Sequence, residues 1–322
     1  MLTSPRVTVL IPAYKALETL EKAVKSVINQ SEPSWELLII NDCSPDATGA
    51  LADQLALRDH RIRVIHQPKN HGKPAALNLG TAQAQGSWIA LLDSDDWYAP
   101  TRLATLCDAG ETANVSMVAD NQIFFDGKAH NGQGSEAGLA LPTFTQNISL
   151  GLPEFLASSN ASASFDYGML KPIFRADFIK THNLTYYEPA RIGEDYLILL
   201  RFFAAGGTAL LVHQPLYYYL QPFGTISRQW AQEGRGDYNF ALLEKINQAG
   251  IEQTHHQLTA AQIQILQQRG AAIAALARLT ALRVALKNKA VIKALCLLCT
   301  APRSFWRLIG QRISKKAAHR QR

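Results

Sequence analysis

The chain has 322 residues, 47 % hydrophobic and 18 % charged, which is enough apolar content for one sizeable core or two smaller ones and excludes global disorder. The formal net charge of +6 belongs to the tail, since thirteen Lys and Arg and no Asp or Glu lie from Arg269 onward; the preceding residues are about 7 charges negative, and no nucleic-acid partner is expected. Cys43, Cys107, Cys296 and Cys299 are too few for a disulfide framework, no secretory leader pattern precedes Val7, and Lys293 and Arg303 interrupt the apolar C-terminal stretches, so a cytoplasmic location without a transmembrane helix is expected.

Val7 to Ile11 is a continuous apolar run, the pattern of a strand buried on both faces, and it exits through Pro12-Ala13-Tyr14. Leu17, Leu20, Val24, Val27 and Ile28 recur at helical spacing. Glu36 to Ile40 is a second strand ending at Asn41-Asp42, and Asp46 or Thr48 is positioned to cap a helix through Leu51, Leu55 and Leu57. Arg61 to His66 reads as a third strand, Pro74 to Ala84 as a helix and Trp88 to Leu92 as a fourth strand, with Asp93-Ser94-Asp95-Asp96 at its exit. Strands joined by helical crossovers imply a mainly parallel sheet whose strand exits share one edge, and ligands of open α/β sheets bind outside that edge. Tyr14, Asp42, Asp93 and Asp95 are therefore expected to converge.

Closely spaced carboxylates at a strand exit suit a hard divalent cation, Mg²⁺ or Mn²⁺, which completes its shell with water and phosphate and neutralises a diphosphate leaving group. Asp95 is the preferred ligand, with Asp93 beside it. An isolated Asp-x-Asp is more often a cap or a solvated turn; three acids following a buried strand favour the ligand role. No Gly-x-Gly-x-x-Gly follows the first strand, and Gly72-Lys73-Pro74 lacks the remainder of a P-loop.

Four blocks, Val7 to Tyr14, Leu38 to Asp46, Asn70 to Gly80 and Leu91 to Asp96, resemble family 2 glycosyltransferases in order and spacing. Ala119-Asp120-Asn121, Gly168 to Arg175 and Arg191 to Tyr196 look like the succinoglycan-type exopolysaccharide enzymes of that family, and the resemblance runs from Val7 to about Trp230. It implies a GT-A fold, a Rossmann-like mainly parallel sheet with helices on both faces, and inverting transfer from a nucleotide sugar. By this resemblance Pro12 and Tyr14 flank the nucleobase, Asp42 accepts the uracil N–H, Asp93, Ser94 and Asp95 face ribose and metal, and Lys73 meets the diphosphate or base. Leu77 departs from the pattern, since many members carry Arg immediately before the residue matching Asn78.

Inverting transfer needs a carboxylate to take the acceptor proton, and Glu194-Asp195 resembles the family's base dyad: Asp195 is assigned as general base and Glu194 as its orienting neighbour. Arg228 is the candidate to close over the diphosphate. Lys171 and Arg175 are candidates for the acceptor side, with Trp97, Tyr187 and Phe223 as sugar-stacking platforms. The expected divisions are 1–105 for the nucleotide sugar, 106–230 for acceptor and base, and 231–322 as a helical basic extension.

In that extension Leu258 to Leu298 reads as long and helical, and Phe305, Ile309 and Ile313 share a face with Trp306 nearby and Arg and Lys around them. Such a segment suits either an anionic membrane surface, on the cytoplasmic face of the inner membrane near a lipid-linked oligosaccharide, or packing on the catalytic domain. Cys296 to Cys299 has a suggestive metal spacing but no second ligand pair. The expected function is hexosyl transfer from a UDP-sugar, glucose being the first choice, to a glycan or lipid-linked acceptor in exopolysaccharide or surface polysaccharide synthesis. The alternatives are a nucleotidyltransferase and an inactive sugar-nucleotide-binding scaffold.

Overall fold

The computed structural model describes residues 4–126, 135–159, 166–190, 192–221, 240–301 and 306. Its first part alternates as the sequence dictates: β1 (Val7–Ala13), α1 (Leu20–Ile28), β2 (Trp35–Asn41), α2 (Thr48–Ala56), β3 (Ile62–His66), α3 (Lys73–Gln83) and β4 (Trp88–Leu91). β3, β2, β1 and β4 are neighbours in that order, all parallel. β1 and β2 are buried along their whole length, as their unbroken apolar runs require. Alternate residues serve opposite faces: Val7, Val9 and Ile11 pack with Leu20, Val24 and Val27 of α1 and Leu55 of α2, whereas Leu10, Leu38 and Ile40 pack with Ala76 and Leu77 of α3. Helices therefore cover both faces. The Asp46 carboxylate accepts from the Thr48 amide at the start of α2, while the Thr48 hydroxyl accepts from the Ala16 amide.

The sheet continues through β5 (Trp97–Tyr98), α4 (Arg102–Ala113), β6 (Met117–Asp126), β7 (Ser135–Leu139), β8 (Ile148–Leu150), α5 (Leu152–Ser158), a 3₁₀ turn (Tyr167–Met169), β9 (Ile173–Arg175), α6 (Ala176–Thr181), α7 (Glu194–Ala204) and β10 (Ala209–Gln221). β7 pairs antiparallel with β6. The decisive element is β9, which is inserted antiparallel between β4 and β6. Because β9 runs against β4, the residues entering it lie at the carboxyl end of β4 and the residues leaving it lie at the amino end. A second core forms around α7, where Phe202, Phe203, Leu199 and Leu200 meet Phe155, Phe174, Leu211 and Leu266.

Three helices follow: α8 (Phe240–Thr254), α9 (Ala260–Lys287) and α10 (Val291–Cys299). Thr259 and Gln262 form a capping box at the start of α9. The expected single long helix is broken at Asn288 to Ala290, where Lys289 adopts φ 55° and turns the chain into an α9–α10 hairpin. No helix among the described residues is long and apolar enough to cross a membrane.

One buried ion pair ties these parts together. Arg102 and Asp120 are fully buried, 2.7 Å apart; Arg102 also donates to the Lys171 carbonyl, and Asp120 accepts from the Leu216 amide. The guanidinium lies 4.3 Å from the Tyr98 ring centroid and 5.1 Å from that of Tyr217. Removing one partner strands a charge in the interior, so Asp120→Ala should lower unfolding stability by about 3–5 kcal/mol in urea denaturation, with Arg102→Met/Asp120→Leu recovering part of that loss.

Candidate functional site

The carboxyl edge of the sheet collects the acids. β2 ends at Asp42, β4 exits into Asp93 to Asp96, and α3 and α7 both begin on this edge, so Lys73 and Glu194-Asp195 stand at helix N-termini. Each helix is preceded by a glycine in the left-handed region, Gly72 at φ 90° and Gly193 at φ 74°, which lets the backbone turn sharply into its first helical residue.

Two lysines join acids from distant parts of the chain. Lys73 Nζ is 2.8 Å from Asp93 Oδ1, 3.1 Å from Glu194 Oε1 and 3.8 Å from Asp195 Oδ2. Lys171 Nζ is 2.9 Å from Asp93 Oδ2 and pairs directly with Asp195 Oδ2. Burial opposes charge on both ammoniums, but the Asp195 and Asp93 carboxylates overcome it and hold both lysines above their ordinary range. Burial likewise opposes ionisation of Asp93, and Lys171 and Lys73 overcome that, keeping its carboxyl well below the ordinary range. A cation at a helix N-terminus opposes the helix dipole, so Lys73 depends on these acids, whereas Glu194 and Asp195 are favourably placed on α7.

Asp95 contrasts with Asp93. It forms no ion pair with the described residues, and burial, then the Asp93 charge, pushes its carboxyl up. A half-buried carboxylate that no lysine or arginine pairs with directly fits a divalent cation. Among the described residues no cluster of three or more His, Cys, Asp or Glu is arranged around a common centre, so such a cation would draw most of its shell from water and phosphate oxygens. Asp93, expected as a second ligand, has each oxygen engaged by a lysine instead.

Asp42 is almost fully buried and accepts from Gln67 Nε2 at 2.9 Å and from the amides of His71 at 2.8 Å and Gly72 at 2.7 Å. Its carboxylate thus shapes the segment that delivers Lys73. Pro12 is buried within β1, and Tyr14 is exposed at the exit of that strand; Ser94 lies in the acidic turn.

The family model for glycosyl transferase family 2 matches residues 8–171. The succinoglycan biosynthesis protein ExoO of Rhizobium meliloti (strain 1021) is 36 % identical over 70 % of this chain and 63 % of its own length. The chain belongs to glycosyl transferase family 2. The succinoglycan biosynthesis protein ExoU of the same organism is 30 % identical over 64 % of the chain and 59 % of its own length, so the chain spans less than two thirds of these relatives. Among solved structures, Staphylococcus aureus TarS 1-349 in complex with UDP-GlcNAc superimposes with a TM-score of 0.61 at 15 % identity, covering 91 % of this chain and 90 % of that one. The expected GT-A-like architecture is therefore present, as a mixed, mostly parallel sheet with helices on both faces.

Not every residue nominated in this family 2 chain reaches the acidic edge. Arg175 sits opposite Trp88 at the amino end of β4, roughly 15 Å from Asp93 at about 3.3 Å per strand residue, and pairs with Asp177 at 3.0 Å. It is not at the acceptor side. Trp97 is not a free stacking platform either: its ring stacks on Tyr218 at 5.3 Å and meets Phe125 edge-on at 4.9 Å, and Lys22 Nζ lies 2.9 Å from its centroid. Lys171, expected at the acceptor, belongs with Asp93 and Asp195. Arg228, Phe223 and Arg191 lie outside the described residues. Leu77 is buried against Leu10, Leu38 and Ile40, so that position faces the core.

Two contributors escaped the sequence reading. Asp96 is buried and accepts from Tyr217 Oη at 2.7 Å and the Leu220 amide at 2.9 Å, fixing the acidic turn to β10. Arg102 supports Lys171 from beneath; the available signal was an arginine at the apolar face formed by Leu103, Leu106 and Cys107 of α4.

The depressed Asp93 carboxyl links the site to stability. The unfolded chain binds its proton at higher pH than the folded one, so the stabilisation is present above the ordinary carboxylate range and is lost as pH falls towards the folded value. Between about pH 6 and pH 3 the melting temperature should fall less steeply for Asp93→Asn than for the parent chain, measured by circular dichroism.

Proposed function

We propose that this chain is an inverting glycosyltransferase that moves a hexose from a UDP-sugar to a hydroxyl of a glycan or lipid-linked oligosaccharide, in exopolysaccharide or surface polysaccharide synthesis. The carrying observation is that Asp195, at the start of α7, shares Lys73 and Lys171 with Asp93, at the exit of β4. This sets the assigned base beside the edge where the four family blocks converge. The succinoglycan biosynthesis role of ExoO and ExoU supports the polysaccharide assignment, and the UDP-GlcNAc complex of TarS supports a uridine nucleotide donor.

Pro12 and Tyr14 flank the base in this proposal, Asp42 lies beneath the uracil edge, and Asp93 and Ser94 face the ribose. Residues 1–105 hold the donor and 106–230 supply the acceptor side and the base. Asp95 would hold a Mg²⁺ or Mn²⁺ ion, which supplies charge neutralisation to the departing diphosphate. Lys73, at the electropositive start of α3, faces the same negative charge, and Arg228 is the proposed closing cation. The acceptor hydroxyl attacks the anomeric carbon, the bond to the diphosphate oxygen breaks with its electron pair, and Asp195 takes the hydroxyl proton. Lys171 pairs with Asp195 and fixes its position before transfer, and Glu194 orients its neighbour through Lys73. Glucose is the first donor to test.

Asp195→Asn should bind UDP-sugar within about twofold of the parent by calorimetry yet lose roughly 10²–10⁴ in turnover, read as UDP release; near-normal turnover would overturn the base assignment. Asp95→Ala should lose the Mn²⁺-dependent part of donor affinity. Pyrophosphate among the products would instead mark nucleotidyl transfer, and no turnover with any donor would favour an inactive scaffold.

The C-terminal hairpin supports a further element of the proposal, contact with an anionic membrane. The first half of α9 packs on the body through Ile263, Ile265, Leu266 and Arg269, the last lying 3.7 Å from the Tyr196 ring centroid. Beyond it the inner faces meet through Ala275, Leu282, Leu297 and Leu298, while Leu286, Val291, Ile292 and Leu295 are exposed in a stretch rich in lysine. Of the aromatic and aliphatic positions expected further along, Trp306 is exposed, and Phe305, Ile309 and Ile313 lie outside the described residues. Apolar side chains among basic residues match an anionic bilayer surface. The intact chain should sediment with phosphatidylglycerol vesicles and not with phosphatidylcholine vesicles, and Ile292→Glu/Leu295→Glu should abolish sedimentation; equal recovery of both proteins would refute membrane contact.

A further inference from the structure

Of the acceptor-side residues named from sequence, Arg175 is on the far edge and Trp97 is packed against β10 and α1, whereas Tyr187 borders open space. This is an open cleft of about 610 Å³ between α3, the segment before α7, α7 itself and α8. Its size falls within the ~300–1,000 Å³ typical of small-ligand sites. Asn78, Tyr187, Glu188, Arg201 and Gln253 contribute to its walls. Aromatic surface combined with amide, carboxylate and guanidinium groups offers what a sugar ring with several hydroxyls requires: an apolar face, donors and acceptors.

Two features make this cleft more than surface relief. Arg201 is half-buried and has no carboxylate partner among the described residues; its guanidinium donates to the carbonyls of Thr185 and Asn183, which fixes its plane while leaving donor capacity unused. Burial lowers its pKa from the ordinary arginine value, which marks a guanidinium in a partly dehydrated setting. The second feature is Tyr186. Asn78 clamps its backbone from both sides, donating to the Tyr186 carbonyl at 2.9 Å and accepting from its amide at 2.7 Å. Tyr186 also lines the cleft, and its hydroxyl is pushed up by burial and then by the Asp195 charge. Arg201 stands six residues along α7 from Asp195, about 9 Å at 1.5 Å per residue, so one helix joins the cleft to the assigned base.

We infer that the cleft bounded by Asn78, Tyr187, Arg201 and Gln253 holds the non-reacting part of the acceptor glycan, the sugar unit next to the one whose hydroxyl meets Asp195. This rests on the glycosyltransferase reading above and adds a site to it. Binding energy collected there from a remote unit positions the reacting hydroxyl, so acceptors spanning the cleft should outperform a monosaccharide.

The experiment uses the full chain with UDP-glucose and glucose-to-tetraose series of β-linked and α-linked gluco-oligosaccharides, measuring UDP release against the water-only rate and oligosaccharide contact by saturation-transfer NMR. Arg201→Gln and Gln253→Ala should each raise the oligosaccharide KM about tenfold or more and quench the NMR contact, leaving the UDP-glucose KM and the water-only rate unchanged. Gln253→Ala guards against a folding defect in the arginine variant, because Gln253 makes no contact that holds the 183–185 backbone. Unaltered oligosaccharide KM and contact in both variants, or no oligosaccharide contact in the parent, would overturn the inference. A chain that releases no UDP from UDP-glucose even in water, while still showing contact that Gln253→Ala removes, would instead fault the donor or base assignment and leave the cleft supported.

Discussion

Two buried ammonium groups determine how this site is assembled. Three carboxylates, Asp93, Glu194 and Asp195, come from opposite parts of the chain onto one sheet edge, where their mutual repulsion in a poorly hydrated setting would force them apart. Lys73 and Lys171 remove that conflict by lying between them. Each lysine in turn needs its own placement: Lys73 is delivered by the turn that Asp42 shapes through the His71 and Gly72 amides, and Lys171 by the carbonyl contact with Arg102. Removing any of these supports loosens the position of groups that never touch it directly.

The acidic turn after β4 shows how neighbouring carboxylates acquire different roles from their surroundings. Asp93 is held ionised by two lysines, Asp95 forms no ion pair with the described residues, and Asp96 is turned inward to Tyr217 and the Leu220 amide. Burial disfavours charge on all three, yet only Asp93 has enough compensating positive charge to reverse the effect. Asp95 is therefore the member with capacity left for an external cation, and Asp96 is the one that anchors the turn to the rest of the sheet.

Much of the first hundred residues was legible because buried parallel strands and their crossover helices leave clear apolar patterns, and the topology then brings Asp42 and Asp93 to one edge. The likeness of Glu194-Asp195 to a base dyad drew attention to the second acidic pair. What spacing does not convey is the direction of β9. Had that strand run parallel to β4, Arg175 would lie at the acidic edge; its antiparallel insertion brings Lys171 there and sends Arg175 to the opposite end. Arg102 was missed because a charged residue at the start of a helix ordinarily faces water, and its place on the apolar face of α4 is a weak signal until the partners Asp120 and Lys171 are seen. The long C-terminal apolar pattern similarly concealed a reversal, since nothing in Asn288-Lys289 announces a turn as strongly as a glycine would.

The inserted strand also constrains how such chains can be recombined. β4 has β1 on one side and β9 on the other, so a polypeptide cut after β6 would expose the backbone donors and acceptors of β4 as a raw hydrogen-bonding edge, a surface prone to self-association. The segments before and after β6 are consequently interlocked and not modular. Exchange of acceptor specificity between relatives would have to leave β9 in place, with its preceding lysine, and confine the exchanged sequence to segments hung from the sheet's rim.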